Sequence, residues 1–519
     1  MNVMQMNNRT ELYLYYGLLV LCCVLVLFSE PFLRYPYDIF AHLIAIDEKY
    51  HNLERTTTSI QPGRLLWHTI WAKIFQVFHI ESIDFFLRAK IIHVVQTYIS
   101  FFSIYYFSKV VLRNLFDNIP DTALRYLSLW SVLIWLTIFA TFSMHYHLIW
   151  TLWYSVSYQI TLPLFFYSMA LTLVLFLEEV SIIKKIFYFF QILAISLFIL
   201  KVHPMEFIYY LMYLLTLSLV YSYRILGYVK KYYYVFIIVI GGFIYFVQYF
   251  NIEDIPLLTY LDSNEIGALY MEMRNIGTMV VRDYNRQEYA INELMYVIFY
   301  MGILVIGLLF VDKYQEKKYI NIRLLIFVLL TSLFIFIPQY VMSAGFFALL
   351  TKVYVVHRVY FSASLFILLP IFIYYFIVRF RMRGYFVNIT LTFILTAVFF
   401  YSKYSTVSGQ IYYKNVQSLT SSFSQKYSFH FSQDEMQYIA DKIKEYEETR
   451  PYKNRDNLYF AREDIAFVIK YIYGKRAYWQ DRRALVNYHT AFQKNAHYRT
   501  YNYILFETKE DFPENPLFK

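Results

Sequence analysis

YQITLPLFFYSMALTLVLFLEEVSIIKKIFYFFQILAISLFILKVHPMEFIYY, residues 158–210, decides the fold class. Two apolar runs, 158–177 and 186–202, flank the polar break EEVSIIKK, and a third begins at 205, directly after Val-His-Pro. A helix of about 20 apolar residues matches the hydrocarbon thickness of a bilayer. Working outward, the same reading yields eleven candidate spans, near 12–29, 91–111, 126–143, 158–177, 186–202, 205–223, 232–250, 290–311, 324–342, 359–378 and 386–402. Composition agrees, with 59% hydrophobic, 22% aromatic and only 16% charged residues in a chain of 519, far from an average soluble domain. Ten-residue segments of alternating polarity, the mark of an outer-membrane barrel, are absent. The expectation is an all-α polytopic membrane protein of about 11 transmembrane helices, which 12 Pro and 13 Gly interrupt little. Cys22 and Cys23 are adjacent inside the first run, so neither a disulfide framework nor a thiolate metal site is expected. That run follows MNVMQMNNRTE, which is not strongly basic, and no small-residue cleavage site follows it. It reads as a retained helix.

Lysine and arginine in the short connections set the orientation. With a cytoplasmic N-terminus, the inner connections carry Lys109, Arg113 and Arg125; Lys184 and Lys185; Arg224, Lys230 and Lys231; Lys313, Lys317, Lys318 and Arg323; and Arg379, Arg381 and Arg383. The short outer connections are poor in them: 143–155 has none, the 201–206 turn has Lys201, and 343–358 has Lys352 and Arg358. Two long loops, 30–90 and 251–289, then fall outside, and an odd number of spans sends the tail outside as well. Long segments cross largely regardless of charge.

Charge rises sharply after Tyr404, which divides the chain into a membrane domain, 1–404, and a soluble extracytoplasmic domain, 405–519. Ser432 and Glu435 form a capping-box pattern ahead of Met436, Ile439, Ala440 and Ile443 at helical spacing. NLYFA (457–461) and YNYILFE (501–507) read as short strands, and REDIAFVIKYIYG as a helix stopped at Gly474. A small α/β domain is expected, and no phosphate-binding glycine loop or metal cluster assigns it any chemistry.

The first outer loop opens with YPYDIFAHLIAIDEKYH (35–51), which holds two Asp-x-x-x-His pairs, Asp38/His42 and Asp47/His51. On a continuous helix the nine residues between the two aspartates turn the pairs about 180° apart, so they do not form one four-ligand site. Asp47, Glu48 and Lys49 read as a solvated turn. Further on, Arg64, His68, Thr69, Lys73, Gln76 and His79 fall on one side of a helix and Trp67, Ile70, Trp71, Ile74 and Phe78 on the other. Such a helix is expected to lie flat at the headgroup level, roofing a lipid-accessible cavity.

An N-in first helix, a long outer loop with an early acid and a membrane-parallel helix, about a dozen spans and an external C-terminal domain together resemble the GT-C glycosyltransferases. The resemblance covers nearly the whole chain in layout, and in motif it rests on Asp38 shortly after the first span and on Gly63-Arg64. It implies a bacterial inner-membrane enzyme of cell-envelope polysaccharide biosynthesis. Such an enzyme moves a sugar from a polyprenyl-phosphate donor to a glycan, lipid or protein acceptor on the extracytoplasmic side. It also implies that a carboxylate in the first outer loop, here Asp38, is the base or a metal ligand. Hard oxygen ligands would suit Mg²⁺ or Mn²⁺ at the leaving phosphate. Several members use an external arginine for the donor phosphate, and Arg358, beside His357 at the outer start of the tenth span, is the matching candidate.

Other ionisable residues gather at the outer ends. His203 and Glu206 sit at the turn between the fifth and sixth spans, where Pro204 breaks the helix. With Asp47, Glu48 and His42 they stand as further catalytic or metal candidates, against the plainer reading of a hydrogen-bonded turn. His145 and His147 lie beside Trp150 and Trp153, as aromatic belts do anyway. The loop 251–289 adds Arg274, Arg282 and Arg286 among Asp262, Glu265, Glu272 and Asp283, either a donor or acceptor gate or a structured cap. The net charge of +10 points to membrane lipids and lipid-linked phosphates, and nothing resembles a nucleic-acid module. Two other classes stay open. A polymerase or ligase of O-antigen or capsule polysaccharide would depend on external Arg and His more than on an early Asp. A transporter or flippase is expected to show internal repeats and mid-span Gly/Pro breaks or charges; the sequence shows no repeat, and its in-span charges are sparse.

Overall fold

A computed structural model describes residues 65–78, 85–116, 119–140, 158–224, 266–286, 321–350, 433–449 and 501–506, with single positions or short pieces within 17–50, 226–241, 356–374 and 452–479. The chain forms two compact units, one of Met1–Cys22, Tyr98–Leu148 and Ile160–Gln410, the other of Cys23–Thr97, Ile149–Gln159 and Ile411–Lys519. The candidate spans 12–29, 232–250, 290–311 and 386–402, with Cys22 and Cys23, lie outside the described residues.

In chain order the helices are α1 (Leu66–Val77), α2 (Phe85–Leu115), α3 (Asp121–Ala140), α4 (Tyr158–Leu177), α5 (Ile182–Val202), α6 (Pro204–Val220), α7 (Ile266–Arg286), α8 (Ile322–Ser332), α9 (Val341–Leu350) and α10 (Gln433–Glu448). Among the described residues α4 and α5 are long and apolar enough to cross a membrane, and α6 is a shorter apolar helix. The quoted stretch therefore forms three helices with one boundary per local signal, the third shorter than the span 205–223 read for it. α5 ends at His203, whose φ of −150° and ψ of 90° are extended, and Pro204 opens α6 at its first turn. Proline cannot supply the amide that would continue α5, and its fixed φ suits a helix start.

The predicted span 324–342 does not form one helix. α8 tightens into a 3₁₀ segment at Leu333–Gln339, and α9 then leaves at 93° to the preceding helix. Pro338 within the tightened turn explains the stop, since it has no amide to donate. The predicted outer loop 251–289 contains α7, which crosses α9 with the two backbones in contact. A Cβ added to Gly277 would lie 1.8 Å from the Val341 carbonyl oxygen, and one added to Gly345 would lie 1.8 Å from that of Met273. Each glycine thus meets the residue four before the other, the close packing that small residues permit.

The first unit centres on aromatic rings. Tyr213 of α6 is surrounded by Phe165 and Phe166 of α4, Phe107 of α2, Phe327 of α8 and Phe334, with ring centroids 5.3–6.4 Å away. Its hydroxyl donates to the Ser362 carbonyl at 2.5 Å, as a phenol in an apolar core requires. The buried hydroxyls of Ser128, Ser131, Thr331 and Ser332 each donate to a carbonyl of the preceding turn. At the opposite end from the His203 turn, the Asn321 amide donates to the Leu115 carbonyl at 3.0 Å, which ties α8 to the end of α2.

In the second unit the tail holds a sheet of three parallel strands, β1 (Asp456–Ala461), β2 (Arg476–Trp479) and β3 (Tyr501–Leu505), in the order β2-β1-β3. Leu458 pairs with Arg476 and with Tyr503, so β1 is central, and its buried run Asn457–Ala461 follows. Parallel neighbours need a crossover, and buried Ile465, Ala466, Val468 and Ile469 lie in that connection as helical turns. β1, β3, the helix opened near Ser432 and the crossover helix agree with the sequence reading, which missed β2.

Burial pushes the Tyr459 hydroxyl from its usual 10.0 to about 12. The neutral phenol is the favoured form in the folded state. The stability it contributes is full below pH 10 and is lost as pH rises from 10 through about 12. Protease resistance of the tail in the intact protein is expected to fall across that window, and Tyr459→Phe should flatten the fall. An unchanged profile in the phenylalanine variant would refute the assignment to Tyr459.

Candidate functional site

The helix break at Pro204 brings two ionisable side chains together at the junction of α5 and α6. Glu206, in the first turn of α6, is buried completely, at 0% exposure, while the His203 side chain is 20% exposed. His203 Nδ1–H donates to Glu206 Oε2 at 2.5 Å. With the carboxylate as acceptor, Nδ1 carries the ring proton and Nε2 is the acceptor nitrogen of the neutral ring. Glu206 Oε1 is buried with no hydrogen-bond partner among the described residues. An acid at a helix N-terminus is favoured by the helix dipole, which offsets part of the cost of burying it. A partly exposed imidazole bonded to a buried carboxylate is an arrangement that can serve a general base.

Tyr209, one turn beyond Glu206, stacks on Phe347 of α9 with ring centroids 6.2 Å apart. α9 in turn carries α7 at the paired glycines. α7 holds the candidate arginines Arg274 and Arg282, both on its exposed face and eight residues apart, about 12 Å along the axis. α6 and α7 therefore both touch α9, α6 through Tyr209.

The second unit holds a pair the sequence reading did not foresee. His42 Nδ1 and His68 Nε2 are 2.7 Å apart, with rings stacked at 4.9 Å and 5°. The Trp67 indole meets both rings edge-on and donates to Gln96 Oε1 at 2.8 Å. His68 was expected on the wet side of α1 but is only 1% exposed. Trp67, His68, Trp71, Ala72 and Phe75 form the buried stripe of α1, while Leu66, Ile70 and Phe78 are exposed. The helix is thus rotated toward His42, because an imidazole with a partner buries at little cost. The only hint in the sequence was one more histidine on an amphipathic helix. Glu48 is likewise buried, at 5% exposure, in helical backbone rather than in a solvated turn.

Asp38, Asp47, His357 and Arg358, with His145 and His147, lie outside the described residues. Among the described residues no three His, Cys, Asp or Glu side chains come together as a metal site. One imidazole and one carboxylate at the α5/α6 junction do not match the oxygen octahedron that Mg²⁺ takes. The chain matches no known protein family and no curated protein.

Proposed function

We propose that the protein is an integral membrane glycosyltransferase of the GT-C kind, moving a sugar from a polyprenyl-phosphate donor to a surface glycan, glycolipid or protein on the extracytoplasmic side. The observation that carries the reading is the His203–Glu206 pair. In this arrangement Glu206 holds the imidazole, and Nε2 of His203 takes the proton of the acceptor hydroxyl as its oxygen bonds to the anomeric carbon. The bond from that carbon to the donor phosphate breaks, and polyprenyl phosphate leaves as the anion. Arg274 and Arg282, together with Arg358 and His357, are the groups that would meet the phosphate charge. Asp38, by its position in the first outer loop, is the alternative base that the GT-C resemblance implies.

Positioned proton transfer contributes roughly 10²–10⁴ in rate. His203→Gln is therefore expected to lower transfer by about that factor, and Asp38→Asn to alter the cellular glycan profile. The reading fails if purified protein neither binds nor turns over any polyprenyl-phosphate sugar while Asp38→Asn leaves the glycans unchanged. Exposed arginines on α7 favour a second reading, a polysaccharide polymerase or ligase. In that case Arg274→Gln and Arg282→Gln abolish polymer length while Asp38→Asn is silent.

A further inference from the structure

At the end of the first unit remote from the dyad, where α4 and α6 finish and α8 begins, two arginines lie over aromatic rings. The Arg323 guanidinium carbon lies 3.7 Å from the centre of the Tyr223 ring, and that of Arg224 lies 5.9 Å from the Phe176 ring. Both side chains are exposed, and both lie within electrostatic reach of the Tyr221 phenol. That phenol donates to Asn321 Oδ1 at 3.2 Å, and Asn321 caps α8 by accepting from the Leu324 amide at 3.1 Å. Neighbouring Glu178 is already taken, since Arg113 and Asn114 both donate to its Oε1. Among the described residues neither Arg224 nor Arg323 pairs with a carboxylate.

A ring beneath a guanidinium neutralises none of its charge and occupies only its face. The N–H groups, the fork that matches phosphate oxygens, are not consumed by such a contact. The level is also set: Phe176 is the penultimate residue of α4, a helix long enough to cross a membrane, so the charges stand where apolar span gives way to polar chain. Tyr221 and Tyr223 stand at the same level, as interfacial aromatics do. We infer that Arg224 and Arg323, with the start of α8, form a binding site for the phosphate headgroup of an anionic phospholipid. The site is separate from the His203–Glu206 pair and does not depend on the proposed transfer.

Native mass spectrometry of the full-length protein in detergent, titrated with phosphatidylglycerol or phosphatidylcholine, tests it. The unaltered protein is expected to retain phosphatidylglycerol preferentially, and Arg224→Gln/Arg323→Gln to retain it about tenfold more weakly, as loss of charge-assisted hydrogen bonds implies. Lys184→Gln/Lys185→Gln, which removes the same charge from the exposed start of α5, is expected to leave retention unchanged. Arg224→Lys/Arg323→Lys keeps the charge but loses the fork. It is expected to weaken retention, and it supplies the readout should the glutamine variant not fold. Equal retention of both lipids, or equal loss in the lysine-site control, would overturn the site. Displacement of the lipid by millimolar inorganic phosphate would overturn its assignment to a lipid headgroup.

Discussion

Gly277→Val is expected to separate α7 from α9 and to leave the protein markedly less stable in detergent. Even the first side-chain carbon at this position would sit 1.8 Å from the Val341 carbonyl oxygen and 2.8 Å from its carbon. Those are backbone atoms and cannot rotate aside, so one helix must move by more than an ångström. Overpacking of a close contact costs about 1–3 kcal/mol when side chains can yield, and here the neighbour is main chain, which puts the cost at the upper end or beyond. Gly345→Val is expected to behave alike, because its added carbon meets the Met273 carbonyl just as closely. The checks are the thermal midpoint and the rate of tryptic cleavage at Arg274 and Arg282, which lie on α7. Gly227→Ala serves as the control, since nothing lies within 4 Å of its added carbon. Wild-type midpoint and cleavage in both valine variants would mean that the helices do not cross as described.

Glu206→Leu is expected to abolish transfer while leaving the thermal midpoint near that of the parent. A carboxylate at 0% exposure with one oxygen unpartnered is costly to bury, and an apolar side chain of similar volume in such a place is often neutral or stabilising. The loss that remains is the bond to His203 Nδ1, at 2.5 Å. Without it the imidazole is free to rotate and to take the other tautomer, and a general base out of position forfeits roughly 10²–10⁴ in rate. Glu206→Gln keeps an acceptor oxygen and the shape but not the charge, and is expected to retain more activity than the leucine variant. A merely structural pair makes the reverse prediction. In that case the midpoint drops in Glu206→Leu, recovers in Glu206→Gln, and transfer follows the amount of folded protein. That result would remove the dyad from the mechanism.

The same pair illustrates how far the site was legible. Its contact spans three residues, across a proline that itself dictates the backbone, so local rules suffice to bring His203 and Glu206 together. They say nothing of how deeply Glu206 is buried, which depends on the helices around α6. His42 and His68 are 26 positions apart, and no periodicity of α1 alone could rotate His68 inward, because amphipathic reading assigns imidazole to water. Its burial is decided by a partner on another segment. Arg274 and Arg282 were legible as loop cations, yet that the loop is a helix with a glycine seam follows only from its fit to α9.

The sequence by itself determined the helical class, the apolar helix α4, the break at Pro204 and strands β1 and β3. Each depends on properties that act within a turn or two: apolar length against bilayer thickness, a missing amide, β-branched and aromatic alternation. Tertiary structure alone decided the bend after α8, the Gly277–Gly345 crossing, the central place of β1 and the His42–His68 contact. Those join residues tens of positions apart, and nothing local encodes their meeting. They form because close packing and the satisfaction of buried polar groups select one arrangement among many that the local signals permit.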